Sequence, residues 1–246
     1  MSGSDAKLDP VTLTLVQNRL DHISLQMGWV MTRTARSPIF SQAHDFSCFI
    51  TDPAGYIMSQ ADGLPIHTGG GGFAVRALLD AFGDDIGQGD AFVLNDPYEA
   101  GGNHLPDWVI SRPVFAKGEL VAFCSNRGHQ SDIGGGAAGS YNSAATDIFQ
   151  EGLRLPPVRL VERGKTRDDV WRLLLLNSRT PNLMDGDLRA MLGSTRIGME
   201  RLAELALELG VETGGYFAGI LDIGERRMRA EIAALPDGVH HGSDLT

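Results

Sequence analysis

Two histidines and an aspartate stand close together around one predicted β-hairpin. The stretch "NHLPD" carries His104 and Asp107, "NRGHQSD" carries His129, and the arms "DWVISRPVF" and "ELVAFCSNR" lie between them. With the turn near "KG", residues whose numbers sum to about 235 face each other across the hairpin. That register places Asp107 opposite Gly128 and beside His129. The spacing therefore predicts that the three side chains meet at the open end of the hairpin.

Two imidazoles and one carboxylate are a common mixed ligand set for Zn, Mn or Fe, and catalytic sites of this kind leave a position open for water or substrate. Asp45, at the start of the strand "DFSCF", or Asp132 can supply a fourth ligand. The alternative is that both histidines are hydrogen-bonded loop residues and that the aspartate caps a turn. A non-haem iron oxygenase uses the same ligand types, but with one residue between His and Asp, where "HLPD" has two.

Glycine clusters flank the histidine-bearing segments, in "HTGGGG", "EAGGNH" and "DIGGGAAG". Such clusters mark tight turns and close approaches of the backbone. In "HTGGGGFAVRALL" the glycines precede a predicted helix, whose N-terminus can hold an anion, but the lysine of a P-loop is missing. His67 in this stretch is either held by backbone groups or lines a pocket.

Strands in the middle of the chain, with helices before and after them, predict an α+β fold. Asp9-Pro10 begins a long amphipathic helix, "FSCFITDPAGYIMSQ" forms two strands around a turn, and "DAFVLND" is a buried strand. Pro113 indicates an edge strand or a bulge. "GGAAGSYNSAATDIFQEG" is a long loop. Three C-terminal helices are predicted. The first begins at Asp168 and stops at Pro181, the second runs from Asp187 to Leu209 with Gly210 as its C-cap, and the third runs from about Gly215 to Leu235.

Composition limits the classes of function. The 246 residues are 42% hydrophobic and 21% charged, with a net charge of -10, which argues against non-specific binding to nucleic acid and to anionic membranes. No apolar run approaches the roughly 20 residues that span a bilayer, and the N-terminus lacks the pattern of a signal peptide. Two cysteines, Cys48 and Cys124, give no disulfide framework. We expect a cytoplasmic protein with buried thiols.

Several stretches, in order along nearly the whole chain, resemble the hydantoinase B/oxoprolinase family. They are "ARSPIFSQAHDFSCFITDPAGYIMSQ", "LPIHTGGGGFAVRALL", "GDAFVLNDPYEAGGNHLPDWVISRPVF", "GELVAFCSNRGHQSDIGG", "RLPPVRLVERG", "LLLLNSRTPNLMDGDLRAMLG" and "IAALPDG". The most specific are "NDPY…GGNHLPD" and "NRGHQSDIGG". The resemblance implies that residues 1–246 form one domain, equivalent to the N-terminal portion of a B-type subunit, with residues 236–246 as a loose tail.

The resemblance also implies an activity and a site. In this family the B-type part holds a divalent metal and works in a hetero-oligomer with an A-type subunit that binds ATP and Mg. ATP activates a cyclic amide, such as a hydantoin, 5-oxoproline or a lactam, for hydrolysis. The related carboxylases activate a ketone, and a subunit of such an enzyme is the alternative. By motif, the metal ligands are His104, Asp107, His129 and Asp45, and the pocket neighbours are His67, Asp96 and Asp132. A non-catalytic assembly module whose terminal helices dock a partner remains a further possibility.

Overall fold

In the described residues, seven antiparallel strands form one sheet. They are β1 (Phe46–Thr51), β2 (Ile57–Gln60), β3 (Ala91–Leu94), β4 (Asp107–Ala116), β5 (Glu119–His129), β6 (Val158–Glu162) and β7 (Lys165–Thr166). Their order across the sheet is β2-β1-β5-β4-β3-β6-β7. The computed structural model describes residues 8–61, 63–64, 67, 69–99 and 101–243.

The described part of the chain also contains six α-helices, which lie around the sheet. They are α1 (Pro10–Thr34), α2 (Pro38–Ser41), α3 (Gly71–Phe82), α4 (Asp168–Leu176), α5 (Pro181–Leu209) and α6 (Thr213–Ala233). The predicted α+β fold, with a strand-rich centre between N-terminal and C-terminal helices, is confirmed. None of the helices in the described part of the chain combines the length and the apolar character that crossing a membrane requires.

The two faces of the sheet bury different helices because side chains along a strand alternate between faces. Phe49, Val109 and Phe123 pack on the face that α3 covers. Ile50, Ile110, Val114 and Cys124 point to the opposite face, against α1 and α5. Both faces are apolar along much of their length, which explains why "FSCFIT" in β1 is buried at every position. Full burial of each large apolar side chain stabilises the fold by about 1.5–3 kcal/mol.

Helix α1 begins as its sequence predicts. The Asp9 carboxylate accepts hydrogen bonds from the backbone N–H groups of Val11 and Thr12, and Pro10 occupies the first turn, where no intrahelical donor is needed. The residues that α1 buries recur every three or four positions, which is the period of one helix face: Val16, Leu20, Ile23, Met27 and Met31.

The hairpin register differs by one residue from the predicted one. Asp107 pairs directly with His129, not with Gly128, because the pairing shifts between Val114, which faces Ala122, and Phe115, which faces Leu120. Val121 of β5 is the extra residue. A β-bulge of this kind inserts one extra residue on one strand. As a result, the acid and the histidine are direct cross-strand neighbours on the same face.

Three predictions about the elements were wrong or incomplete. Of the two alternatives at Pro113, the edge strand is wrong, since β4 is central, but the pairing does shift close by, between Val114 and Phe115. The pairing with β3 ends at Ser111, so no β3 partner needs the missing N–H. Pro181 does not end a helix but occupies the first turn of α5, which therefore begins before the predicted Asp187. The short helix α2 and the strands β6 and β7 were not predicted. The Gly210 C-cap is confirmed.

The long loop between β5 and β6 is held by one buried acid. The Asp132 carboxylate accepts hydrogen bonds from the N–H groups of Gly134, Gly139 and Arg179 at 2.9–3.1 Å, and from Arg179 Nη1 at 3.2 Å. The Arg179 guanidinium also donates to the Gly135 and Ala137 carbonyls. Burial raises the pKa of Asp132, but the hydrogen bonds that its carboxylate accepts outweigh burial and hold this pKa below its ordinary value. The predicted loop is confirmed, except for a 3₁₀ turn at Ile148–Gln150.

The chain beyond α6 has no helix or strand over residues 236–243, and these residues are exposed. Residues 244–246 of the predicted tail, like residues 1–7, lie outside the described residues. The extent of a single domain over the whole chain stays a prediction.

Gly198 lies where α5 packs on α1 and β5, and a methyl group added to it would overlap Met27 Sδ and lie 3.0 Å from Met27 Cγ and 3.1 Å from Cys124 Sγ. We expect Gly198→Ala to lower the free energy of unfolding by about 1 kcal/mol, because overpacking outweighs the gain in helix propensity. Urea denaturation measures this change. Gly224→Ala, in α6 with open space around it, is the matched control and should be neutral or stabilising. Equal effects of the two substitutions would contradict this account of the packing.

Asp132→Asn keeps the shape of the side chain and removes its charge. We expect it to lower the free energy of unfolding by about 2 kcal/mol at neutral pH, because hydrogen bonds to a charged group are lost. The folded pKa lies below the unfolded value of about 3.9, so the contribution is present above that pH and is lost as pH falls through the folded pKa. Denaturation curves of both proteins should therefore converge in acid. A difference that is constant down to the acid limit would refute the assignment.

Candidate metal centre

The open end of the β4–β5 hairpin brings polar side chains to the α3 face of the sheet. Asp107 is the first residue of β4 and His129 is the last residue of β5, and the two are paired across the strands. Arg127, two residues before His129, pairs with Ser47 of β1. Paired residues and residues two apart share a face, so all four side chains lie on one side of the sheet.

The turn "HLPD" that leads into β4 is held on three sides. The Asp107 N–H donates to the His104 carbonyl, and the Gln130 N–H donates to the Pro106 carbonyl at 2.8 Å. The Asn95 amide donates to the Leu105 carbonyl at 2.7 Å. These bonds fix the position of His104 relative to Asp107 from both the preceding strand and the following one.

One carboxylate stands at the centre of three imidazoles. Asp107 Oδ1 lies 2.8 Å from His104 Nε2 and 3.1 Å from His129 Nδ1, and Asp107 Oδ2 lies 3.0 Å from His67 Nε2. The Asp107 side chain is 1% exposed, and those of His67 and His129 are almost as deeply buried. His104 is 24% exposed, so the cluster opens to solvent on its side.

The electrostatics of the cluster favour an ionised carboxylate. Burial raises the pKa of Asp107, but the hydrogen bonds from His104, His129 and His67 outweigh it and bring the pKa well below its ordinary value. A buried carboxylate with this many donors remains charged and attracts a cation. The negative charge is thus fixed in place before any ligand is bound.

The donor set fits a divalent transition metal. The ligand atoms of His104, Asp107 and His129 all lie within 4.8 Å of one another. In a tetrahedral site with bonds of 2.0–2.2 Å, neighbouring ligand atoms are about 3.4 Å apart, close to the separations of Oδ1 from the two imidazole nitrogens. Two nitrogens and one carboxylate oxygen suit Zn, Mn or Fe, and three protein ligands leave a position open.

The second oxygen of the Asp107 carboxylate is held by two side chains in series. His67 holds Asp107 Oδ2 through Nε2, and its Nδ1 lies 3.0 Å from Ser47 Oγ. An ionised carboxylate can only accept, so His67 donates from Nε2 to Asp107 Oδ2, and this bond together with the Ser47 contact fixes the ring orientation. Groups that hold a ligand in this way tune metal sites. His67, predicted as a pocket neighbour, therefore contacts the predicted ligand directly.

Tyr141 covers the open side of the cluster. Its ring centroid lies 5.5 Å from that of His104 and 5.4 Å from that of His129, and the latter two rings are 5.0 Å apart. The side chain is otherwise exposed and belongs to the loop that Asp132 holds. Burial, with the charges of Asp107 and Asp45, raises the pKa of its hydroxyl. A neutral phenol therefore faces the opening.

The other predicted site residues lie around the cluster. The Asp45 carbonyl accepts a hydrogen bond from the His129 N–H at 3.1 Å, but its carboxylate is not one of the closely grouped ligand atoms. Asp96 caps the turn after β3, bonds Arg154 Nε at 2.6 Å and lines a cavity of about 580 Å³. Asp132 organises the loop that carries Tyr141. His104, Asp107, His129 and His67 are brought together; Asp96 and Asp132 are not part of that cluster.

Sequence reasoning did not identify three residues of this site. Ser47 is the polar residue of a strand buried on both faces, and that pattern could have indicated a specific partner. Arg127 was visible as a charge within the buried strand "AFCSNRGH"; its Nη2 donates to the Gly101 carbonyl, and burial lowers its pKa. No signal in the sequence singles out Tyr141, because loop conformation brings it to the histidines.

Comparison with known proteins gives the same family along most of the chain. The model of the hydantoinase B/oxoprolinase family matches residues 9–246. Caprolactamase subunit beta of Pseudomonas jessenii is 38% identical over 239 residues, which cover 97% of this chain and 41% of that protein. 5-Oxoprolinase of Dictyostelium discoideum is 34% identical over 208 residues, which cover 84% of this chain and 16% of that protein. The chain thus spans about two fifths or less of the relatives it matches here.

Solved structures agree with the fold. The crystal structure of the ATP-dependent caprolactamase from Pseudomonas jessenii superposes with a TM-score of 0.88 at 38% identity, covering 94% of this chain and 40% of that one. A nucleotide-free acetone carboxylase structure gives a TM-score of 0.80 at 22% identity, covering 86% of this chain and 28% of that one, and this similarity concerns the fold alone. The chain belongs to the hydantoinase B/oxoprolinase family.

Proposed function

We propose that this chain is the metal-binding part of the B-type component of an ATP-dependent amidohydrolase that opens cyclic amides. The observation that carries the proposal is the buried cluster of His104, Asp107 and His129 in a chain of the hydantoinase B/oxoprolinase family. The relative with 38% identity is a caprolactamase subunit, which favours a lactam or a similar cyclic amide as substrate.

His104, Asp107 and His129 would hold the metal, with Asp45 as the proposed fourth ligand. A divalent metal held there would supply Lewis-acid chemistry: it would polarise a carbonyl group or lower the pKa of water to about 7. The chain's own residues prepare the site. His67 holds Asp107 Oδ2, so that Oδ1 alone faces the two imidazole nitrogens. Tyr141 narrows the side of the cluster that is open to solvent, and its ring gives a planar surface on which a flat amide ring can stack.

The ATP-dependent step belongs to a partner in this proposal. The solved relative is an ATP-dependent caprolactamase, and its subunit name indicates more than one chain. We infer that an A-type subunit binds ATP and Mg and activates the amide oxygen, and that hydrolysis then takes place beside the cluster in a hetero-oligomer. The chain alone should therefore bind metal but not open the ring.

A ketone carboxylase subunit is the second candidate. Its support is the fold similarity to acetone carboxylase, at an identity that carries no statement on activity. Both candidates use the same cluster, so they differ in substrate and co-substrate. Ring opening consumes a cyclic amide and water, whereas carboxylation consumes a ketone and bicarbonate.

The first prediction from this proposal concerns metal content. The purified protein should contain about one equivalent of Zn, Mn or Fe. His129→Ala should lose most of this metal, because water in the place of the missing imidazole binds the metal more weakly than a protein ligand does. His104→Ala should lose metal as well. Elemental analysis of desalted protein measures the content directly.

His22→Ala is the matched control for metal content, since His22 lies on α1 and contacts Trp29 and Gln26 instead of the cluster. Its metal content should equal that of the unsubstituted protein. Full occupancy in both His104→Ala and His129→Ala would rule out the site and leave the histidines as hydrogen-bonded loop residues.

The second prediction concerns the reaction. Together with an A-type subunit and ATP, the protein should open a lactam, 5-oxoproline or a hydantoin, and ADP should form in proportion to the opened product. The His129→Ala complex should form with the same stoichiometry but lose ring opening, which chromatographic assay of the product measures. Consumption of a ketone that requires ATP and bicarbonate, without ring opening, would instead support the carboxylase.

A further inference from the structure

A second polar cavity lies on the α5 side of the sheet, away from the histidines. It measures about 490 Å³, and β4, the β6–β7 hairpin, α4 and α5 enclose it. Its lining contains three guanidinium groups and one carboxylate, which belong to Arg112, Arg189, Arg196 and Asp168. Trp171 and Leu192 form apolar parts of the wall. The cavity is thus a concave, positively charged site that the proposed reaction does not use.

Arg112 is the buried cation of this cavity. It lies in the interior of β4, is 8% exposed, and points to the α5 face like Ile110 and Val114. Its Nε is buried without a hydrogen-bond partner. Among the described residues, no carboxylate pairs with its guanidinium. Buried charges are normally paired, because loss of hydration is otherwise uncompensated.

Arg196 adds a second unpaired charge. The ion pairs formed within α5 in the described structure join Arg189 with Asp185 and Arg201 with Glu204, and Glu208 pairs with Arg19 of α1. Arg196 lies between the two pairs within α5 in sequence and pairs with no carboxylate of the described residues. Burial is the main cause that lowers the pKa of Arg112, and the charge of Arg196 is the second. Cys124, Glu200 and Asp90 act more weakly and raise that pKa. Two like charges therefore converge on one cavity.

We propose that this cavity binds a phosphate group, held by the guanidinium groups of Arg112 and Arg196. Guanidinium groups match phosphate oxygens with two parallel hydrogen bonds, and such charge-assisted bonds are strong. Arg189 is already paired with Asp185, and its guanidinium stacks on Trp171. It therefore lines the cavity without serving as a phosphate ligand.

A phosphate suits the two guanidinium groups better than a monocarboxylate or chloride because it has more acceptor oxygens. Arg112 and Arg196 can each donate to a different pair of its oxygens, and a phosphate carries about -1.5 to -2 at neutral pH, as in phosphorylated side chains. The Asp168 carboxylate at the start of α4 also belongs to the lining and offsets part of the positive charge. The cavity also exceeds the volume of one phosphate, so it has room for a small organic group against Trp171.

This site is separate from the candidate metal centre. Arg112 points to the α5 face and Asp107 to the α3 face, and they stand five residues apart in β4, which is about 17 Å along the strand. Phosphate binding here therefore does not depend on metal or on the proposed reaction. Chelation of the metal should leave it unchanged.

Titration calorimetry of the full chain with inorganic phosphate, in a buffer of low ionic strength containing a chelator, tests the proposal. Phosphate should bind with a stoichiometry of about one and a Kd below about 10 mM. Arg196→Met and Arg112→Met should each weaken binding by about tenfold or more. Arg196 is exposed, so its substitution leaves the fold intact even if Arg112→Met does not fold.

Arg201→Met removes an exposed arginine from the same helix and is the matched control, with unchanged phosphate affinity expected. Methyl phosphate in place of inorganic phosphate distinguishes the source of the ligand: tighter binding of the ester indicates a phosphate monoester, and tighter binding of the free ion indicates inorganic phosphate. Absence of phosphate binding, or equal weakening by Arg201→Met and Arg196→Met, would overturn the proposal.

Discussion

The structure of the site depends on one carboxylate that is charged and buried at the same time. Asp107 is 1% exposed, and its two oxygens are engaged by three imidazoles. A carboxylate in such a position is destabilising unless donors or a cation compensate it. The hairpin pairing, the "HLPD" turn and His67 all supply that compensation. The arrangement of β1, β4, β5 and the segment before α3 can be understood as the support of this single charge.

The two oxygens of the Asp107 carboxylate have different partners, and this difference determines which side of the carboxylate faces the candidate metal position. Oδ2 is held by His67, which Ser47 orients in turn, and Oδ1 faces His104 and His129. The two histidines use different ring nitrogens: His104, in a turn, uses Nε2, and His129, at the end of a strand, uses Nδ1. An ion bound at Oδ1 therefore has a rigid base, with its free side toward Tyr141 and solvent.

Much of the site could be predicted because its residues are local to one hairpin. His104, Asp107 and His129 are brought together by a turn and a strand pairing, and both have sequence signals. The error of one residue in the register came from the irregularity at Val114 and Phe115, which depends on packing and not on the identity of the turn. Ser47 and Arg127 are visible in the sequence as polar residues of buried strands, but their place at the site depends on the pairing of β1 with β5. Tyr141 reaches the site through the conformation of a loop, for which a single sequence contains no signal. Likewise, β6 and β7 are short and depend on β3 for pairing.

The central claim is that His104, Asp107 and His129 hold one metal ion, and anomalous diffraction from crystals of the metal-loaded protein tests it most directly. Data collected on both sides of the absorption edge of the metal identify the ion and locate it. The account predicts a single strong peak about 2.0–2.3 Å from His104 Nε2, Asp107 Oδ1 and His129 Nδ1. A metal peak bound elsewhere, with the three side chains still hydrogen-bonded to one another, would contradict it.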